Sequence, residues 1–353
     1  MSQSIYYKNH KENIHKFNLT ELSQKIPKHC FVKSPVIGTY YILRDFLFWY
    51  GTYHLYEYYT DHSIPYMLLY WAFSGFWMWC QFMNGHDCGH GSFSNSKLLN
   101  NIMGHLTHTP LLVPFSTWAE SHRRHHIGHN HINNDYSHIW ISYDDRENKS
   151  IRAKIIQYMG IAQVIAWFFY MIGGIDGGHW LPFGGRLWNE NYSVTKFRHS
   201  VFSSSLVFLQ FYYILKVCNF DFSTFIVYYG VPWIVFSIWL VTVTYLQHHD
   251  DTIEETIIYG DESWTYTLGA LQTVDRSYGW IIDNLTHNIT NGHIIHHVFY
   301  TKIPHYHLAE ATTYLYKYLD EKGIMYKYRY TPDFLYKAYK SMSLHINEAT
   351  LVN

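Results

Sequence analysis

Four long apolar segments alternate with polar sequence along the chain. Residues 64–83 are nearly free of charge over about 20 residues, which is the length that a membrane-spanning helix requires. Residues 38–58, 199–217 and 225–247 are of similar length, although the first of them carries an arginine and an aspartate near its start and is the weakest of the four. The pattern predicts an all-α integral membrane protein with about four transmembrane helices in two hairpins.

The charges between these segments predict their orientation. The turns at 59–63 and 218–224 contain Asp61 and Asp221 but no Lys or Arg, so almost all basic residues fall in the N-terminal arm, the middle segment and the tail. By the positive-inside rule those parts, and both termini, face the cytosol. A further apolar stretch, 155–175, is interrupted by a glycine, and we expect it to lie in the membrane interface rather than to span it.

The composition agrees with a membrane protein. Apolar residues make up 48% of the chain, aromatic residues 20% and charged residues only 15%. A net charge of -1 gives no sign of a nucleic-acid partner, and the four cysteines show no paired spacing. We predict a cytosolic N-terminal arm (1–37), a membrane domain (38–310) and a cytosolic tail (311–353). Within the arm, residues 19–26 form a helix that stops before Pro27 and lies either on the membrane surface or in solvent.

The most informative chemistry is a set of eight histidines in three short clusters: His86 and His90, then His122, His125 and His126, then His293, His296 and His297. Spacings of three or four residues place side chains on one helix face, so each cluster can direct several imidazoles to one point. Neutral imidazole ligates zinc, copper, iron and nickel, and no single one of these ions could use eight such ligands. Eight ligands therefore predict two metal ions. Two crossings separate the second cluster from the third, so all three clusters return to the same face and can meet.

Each cluster by itself has another interpretation. The first could be a pair of amphipathic rings at the membrane interface. The second contains Arg123 and Arg124 and could be a surface helix that binds lipid phosphates. The third could be only a polar helix end. Four carboxylates could hold the imidazole rings in place or be ordinary caps and surface groups: Asp87, Glu120, Asp135 and Asp283.

Longer motifs surround the clusters. They are HDCGHGSFS at 86–94, LLVP at 111–114 leading to SHRRHH at 121–126, TVDR at 273–276 followed by Tyr278 and Gly279, and HIIHH at 293–297 leading to IPHYHL at 303–308. With these motifs the chain, from about residue 26 to residue 330, resembles the membrane fatty acid desaturases. The resemblance is close to the methyl-end group, the delta-12 and omega-3 acyl-lipid desaturases.

This resemblance implies a non-haem di-iron centre in a cytosolic helical cap at the end of a four-helix membrane bundle, with the eight box histidines as ligands and O2 as co-substrate. His287 matches a further family histidine, either as a ninth ligand or as a hydrogen-bonding partner of the cluster. The implied electron donors are cytochrome b5 and an NADH-dependent reductase, and the implied location is the endoplasmic reticulum membrane. The implied reaction introduces a cis double bond into a fatty-acyl lipid on the methyl side of an existing one. Asn288 is typical of delta-12 members and the first box of omega-3 members, so the regioselectivity stays open.

Other functions also stay open. A hydroxylase, acetylenase or conjugase could use the same scaffold. A membrane metal transporter would need ligands near the bilayer midplane, where the predicted spans contain few histidines. A soluble ferritin-like oxidase requires paired Glu-x-x-His motifs, and only residues 12–15 fit. Four basic residues could dock an acidic electron carrier or simply flank the next helix: Arg146, Lys149, Arg152 and Lys154.

Overall fold

A computed structural model describes residues 4–58, 63–138, 140–173, 178–182 and 193–352. In chain order the helices are α1 (Ile5–Asn13), α2 (Leu19–Lys25), α3 (Pro35–Tyr58), α4 (Ile64–His90), α5 (Lys97–His108), α6 (Phe115–Gly128), α7 (Ile151–Met159), α8 (Ala162–Gly173), α9 (Val194–Val217), α10 (Phe222–His248), α11 (Tyr266–Gln272), α12 (Trp280–Leu285), α13 (His293–Phe299), α14 (Leu308–Lys322) and α15 (Phe334–His345). The strands are β1 (Ile141–Ser142), β2 (Ile257–Tyr259), β3 (Val274–Ser277), β4 (Lys327–Tyr330) and β5 (Glu348–Val352).

The chain forms two compact units that interleave along the sequence. The box unit, which carries the second and third histidine clusters, contains residues 1–33, 122–163 and 242–353. The hairpin unit contains residues 34–121 and 164–241. Each unit combines segments that are distant in the sequence, whereas the predicted arm, membrane domain and tail are three consecutive segments. That three-part division stays a prediction.

The first predicted hairpin is present in the hairpin unit. Helices α3 and α4 run antiparallel: the Trp49 indole donates to the Ser74 hydroxyl over 2.9 Å, and the Phe48 ring stacks on Trp77 with centroids 4.7 Å apart. The two charged residues that made the first segment the weakest candidate span form an ion pair, because Arg44 lies 2.6 Å from the fully buried carboxylate of Asp45. A charge buried with its partner costs far less than a lone one.

Helix α10 contains one π-helical turn, Ile226–Gly230, which ends two residues before Pro232. Proline has no N–H, so the carbonyl of Tyr228 four residues earlier loses its helical partner. The Tyr70 hydroxyl of α4 donates to that oxygen over 2.8 Å, and the Trp71 indole donates to the Val227 oxygen over 2.9 Å. The Tyr70 hydroxyl therefore replaces the backbone bond that the proline removes. The Trp71 indole serves an oxygen whose α-helical partner, the Val231 N–H, bonds to the Ile226 oxygen in the π turn instead. In an apolar setting such freed carbonyls need partners.

All four predicted apolar segments are helical. Among the described residues, α9 and α10 are long and apolar enough to cross a membrane by length and composition. Helices α3 and α4 match them in length, with 24 and 27 residues, but are not among these candidate spans, because their many Tyr, Trp and polar side chains lower their mean hydropathy. The prediction of four spans is therefore supported for two helices. Most of the first predicted turn, residues 59–62 with Asp61, lies outside the described residues.

The apolar stretch at 155–175 does not form one long helix. It is divided between α7 and α8, and Gly160 between them has φ +63°, a conformation that side chains rarely adopt. A Cβ at Gly160 would also lie 2.6 Å from the Tyr339 ring. The glycine therefore sets the break, and an interfacial position for this stretch stays a prediction. Residues 174–175 lie outside the described part.

The box unit corrects the expectation of an all-α fold. Strands β1, β5 and β2 form a parallel sheet in that order, and β3 pairs in parallel with β4. The strands have only two to five residues, too few to show the alternation by which strands are recognised in a sequence. The fold is mainly helical, with two small sheets.

The N-terminal arm is docked on the box unit. The predicted helix is α2, capped by the Asn18 side chain, which accepts from the N–H groups of Thr20 and Glu21. Leu22 is fully buried, and the Asn18 N–H donates to the Tyr318 hydroxyl over 2.7 Å. The helix therefore packs its apolar side against the protein itself, which neither expectation foresaw.

Candidate metal centre

Helix α6 presents the second histidine cluster on adjacent faces. His122 and His126 are four residues apart, and their Nε2 atoms are 3.2 Å apart. His125 lies between them in sequence and points to a different neighbour, so the one helix serves two groups of rings. The i, i+3, i+4 spacing sets this arrangement locally, as the sequence predicts.

The first group joins α6 to α13. Nε2 of His126 lies 3.2 Å from Nε2 of His122 and also 3.2 Å from Nε2 of His296. A neutral imidazole nitrogen carries either one hydrogen or one lone pair, so hydrogen bonding can satisfy only one of these two contacts. Three nitrogens that converge within 4.8 Å of one another are explained better by lone pairs directed at a shared ion. Two ligands at about 2.1 Å from one ion, at roughly a right angle, are separated by such a distance.

The second group repeats this geometry with a residue that the sequence analysis missed. Nε2 of His248, at the end of α10, lies 3.2 Å from Nε2 of His125 and 3.2 Å from Nε2 of His293. His125, His248 and His297 form a group of nitrogens within 4.8 Å of one another. The signal for it in the sequence is the histidine pair at 248–249, directly after the last apolar segment, and this pair lacks the spacing of the three clusters.

The rings of both groups are suited to metal binding rather than to hydrogen bonding. His297 is fully buried, and neither of its ring nitrogens meets a hydrogen-bond partner among the described residues. Burial lowers the pKa of His296 to about 3 and holds that of His297 well below its usual value. Desolvation therefore keeps these imidazoles neutral, which is the form that ligates a metal. The donor set fits iron or a similar transition ion.

Asp135 fixes the orientation of His125. Its Oδ1 accepts from Nδ1 of His125 over 2.7 Å, and its carboxylate also accepts from the indole of Trp140 and the N–H of Asn130. Burial by itself would raise the pKa of Asp135, but its interactions with His125 and His138 hold that pKa well below its ordinary value. With the proton kept on Nδ1, the Nε2 lone pair of His125 faces the group. Of the four carboxylates proposed from sequence, this one holds a cluster ring.

Strand β3 holds the two helix ends that carry ligands. Oδ1 of Asp275 accepts from the N–H of Ile294 over 2.8 Å, at the start of α13. The Arg276 guanidinium donates to the carbonyls of Leu246 and His249, over 2.7 and 3.0 Å, at the end of α10. A carboxylate at a helix N-terminus and a cation at a C-terminus both complement the helix dipole. Two adjacent residues of the TVDR motif therefore position His293 and His248.

The first box lies on α4 in the hairpin unit. Nε2 of His86 and Nε2 of His90 are 3.2 Å apart, the same separation as in the box unit, and both residues are buried. The helix ends at Gly91, which takes a left-handed conformation and caps it through bonds to the carbonyls of Asp87 and Cys88. The sequence spacing therefore forms the predicted pair on one helix face.

His287 has a different environment. It has φ +63°, and its ring packs edge-on against His305 with centroids 4.4 Å apart. Among the described residues it belongs to none of the groups of three or more ligand atoms within 4.8 Å. Its role as a ninth ligand stays a prediction. His248, whose Nε2 lies 3.2 Å from those of His125 and His293, is an alternative ninth ligand.

Buried groups of imidazoles whose nitrogens converge are the kind of site found in proteins that bind metal through histidine. The sequence pattern of the family described as fatty acid desaturase matches residues 63–330. A Delta(12) fatty acid desaturase of Caenorhabditis elegans is 37% identical over 317 residues, which cover 86% of this chain and 80% of that protein. An endoplasmic reticulum acyl-lipid omega-3 desaturase (cytochrome b5) of Arabidopsis thaliana is 36% identical over 308 residues, covering 84% and 75%. A chloroplastic sn-2 acyl-lipid omega-3 desaturase (ferredoxin) of the same plant is 36% identical over 301 residues, covering 84% and 66%. The chain belongs to the fatty acid desaturase family, and is thus an oxidoreductase.

Proposed function

We propose that this protein is an oxygen-dependent acyl-lipid desaturase that introduces a cis double bond on the methyl side of an existing one. The observation that carries the proposal is the pair of imidazole groups in the box unit, each with one nitrogen 3.2 Å from two others. The relatives named above are delta-12 and omega-3 desaturases, so both positions are retained for this chain.

We further propose that two non-haem irons are held by the eight box histidines together with His248. The assignment of His86 and His90 rests on the first-box pattern and on their own close contact. Bound iron would supply the oxygen chemistry needed to remove hydrogen from an unactivated methylene, which no protein side chain can do. The chain contributes neutral, buried ligands and an Asp135 carboxylate that keeps the His125 proton on Nδ1.

The proposal includes four membrane spans, with both termini and all three boxes on the cytosolic side of the endoplasmic reticulum. Its support is an outward apolar surface on all four long helices, which suits contact with lipid. Large apolar side chains exposed there include Val36, Leu47, Ile64, Leu68, Phe202, Leu209, Phe222 and Ile234.

Cytochrome b5 with an NADH-dependent reductase is the proposed electron source. One relative is named with cytochrome b5 and another with ferredoxin, so a small electron-carrying protein is common to both names. Two of the basic side chains suggested as a docking site already have partners within the protein. Lys149 is buried and lies 2.7 Å from Glu348, and Lys154 donates to the carbonyl of Glu147. The side chain of Arg152 lies outside the described part.

Product analysis tests the proposed reaction. Microsomes that contain the protein, supplied with oleoyl or linoleoyl lipid, should form a new cis double bond only with O2, iron and NADH. The activity should resist carbon monoxide, which binds ferrous haem rather than histidine-ligated iron. Gas chromatography of the lipid acyl chains identifies the product and its double-bond position. A hydroxylated product without a new double bond would transfer the assignment to a hydroxylase, and turnover without O2 would refute both.

Cysteine labelling tests the proposed topology. Single cysteines at Asn95 and at Thr301, both exposed, should react with an impermeant maleimide in sealed microsomes whose cytosolic face is outward. A cysteine at the exposed Asp221, in a turn predicted to be lumenal, should react only after the membrane is opened. The four native cysteines are buried, so their background reaction is low. Opposite behaviour of Asn95 and Thr301 would contradict a common face for the boxes.

A further inference from the structure

A second cluster of ligating side chains lies in the box unit and contains none of the box histidines. His29 and Cys30 are on a short turn of the N-terminal arm, Lys28–Phe31, and His307 and Glu310 are at the start of α14. One ligand atom from each of the four residues lies within 4.8 Å of all the others. The set combines a thiol, two imidazoles and a carboxylate from two chain segments that are far apart in sequence.

The internal contacts hold three of these groups together. Nε2 of His29 lies 2.8 Å from a carboxylate oxygen of Glu310, and the rings of His29 and His307 meet edge-on with centroids 5.5 Å apart. Cys30 is fully buried, whereas the side chains of His29 and Glu310 are 57% and 44% exposed. An ion can therefore reach the cluster from solvent, while the thiol closes its inner side.

An ordinary surface ion pair would explain why His29 lies beside Glu310, but not why Cys30 and His307 lie there too. Exposed ion pairs are weak, and such a pair needs neither a buried thiol nor a second imidazole beside it. Cysteine, histidine and carboxylate in a set of four are the ligands that zinc takes in protein sites with four protein ligands. Atoms within 4.8 Å of one another require only small side-chain movements to reach a common ion.

We propose that His29, Cys30, His307 and Glu310 bind a divalent transition metal of the zinc class, which ties the N-terminal arm to α14. The arm already contacts this helix through Glu21, whose carboxylate lies 2.8 Å from Lys322, and through Asn18. The metal adds an attachment at the other end of the arm, at the turn that precedes α3. This site is separate from the proposed irons, whose ligands include no cysteine.

Cobalt binding provides a specific test, because the iron-site histidines would also bind Co2+ but cannot give a thiolate signal. The whole purified protein, titrated with Co2+ alone, should develop a near-ultraviolet charge-transfer band from thiolate to cobalt, and Zn2+ should remove it. The band should be lost in Cys30→Ser and kept in Cys218→Ser, a second buried cysteine that lies outside the cluster. Absence of the band, or its persistence in Cys30→Ser, would reduce the cluster to an ion pair.

A second measurement covers the case in which Cys30→Ser folds poorly. His29→Ala changes an exposed residue and should fold normally, yet it should bind about one equivalent less Zn2+ than the native protein when its metals are counted after dialysis. Added Zn2+ should slow proteolysis of the arm in the native protein and not in His29→Ala. Equal zinc content and equal proteolysis in the two proteins would overturn the proposal. Neither readout depends on desaturase activity, so the metal site and the proposed reaction can fail independently.

Discussion

A His248→Ala variant is expected to reach the membrane in normal amounts and to form no new double bond. Nε2 of His248 is the atom that lies 3.2 Å from both His125 and His293, so its loss leaves the second imidazole group without its shared member. The variant should bind about one iron fewer per chain, because a metal site that loses one of a few ligands loses most of its affinity. Iron content of the purified protein and lipid analysis of the same preparation measure the two effects. His90→Ala, His125→Ala and His296→Ala should also abolish desaturation.

His287→Asn is the matched comparison. Asparagine tolerates the positive φ of this position, so the backbone strain of most other substitutions is avoided. If His248 is the ninth ligand, His287→Asn keeps its iron and most of its activity. The reverse result, an inactive His287→Asn and an active His248→Ala, would restore His287 as the ligand and remove His248 from the site.

Arg276→Met is expected to cause the largest loss of stability outside the ligands. The guanidinium is fully buried and donates to two carbonyls at the end of α10, and it lies 2.9 Å from the carboxylate of Asp251. Removing one member of a buried ionic network typically costs 3–5 kcal/mol, and since Lys337 still contacts Asp251 we expect about 3 kcal/mol. Iron affinity should fall as well, because the end of α10 that carries His248 loses its support. Thermal unfolding in detergent and iron content measure these changes.

Arg329→Met supplies the control for charge. Arg329 carries the same charge and lies 3.0 Å from Asp250, but its side chain is 25% exposed. Among the described residues its hydrogen bonds go to Asp250, to the Tyr6 hydroxyl and to the Tyr328 carbonyl rather than to α10. Its loss should cost clearly less stability and leave the iron content unchanged. Equal effects of the two substitutions would mean that Arg276 acts only through charge, and not by holding the helix end.

The sequence by itself determined the parts of the protein that depend on short spacing. The four apolar segments became helices α3, α4, α9 and α10, because length and apolarity are properties of a continuous stretch. The contacts of His86 with His90, and of His122 with His126, follow from the i, i+4 geometry of a single helix. The box motifs also sufficed for the family, since they hold most of the chemistry of the site.

The tertiary structure decided which distant residues join these local units. His248 meets His125 across 123 positions, and the arm residue His29 meets Glu310 across 281. Such pairs have no period and no fixed spacing, so a single sequence gives no signal for them. The same holds for strand β3, four residues whose Asp275 and Arg276 hold two helix ends that lie on either side of it in the chain. The geometry of a single helix places two histidines of one cluster together. Packing between segments that are distant in the sequence then brings these pairs into groups that can bind metal.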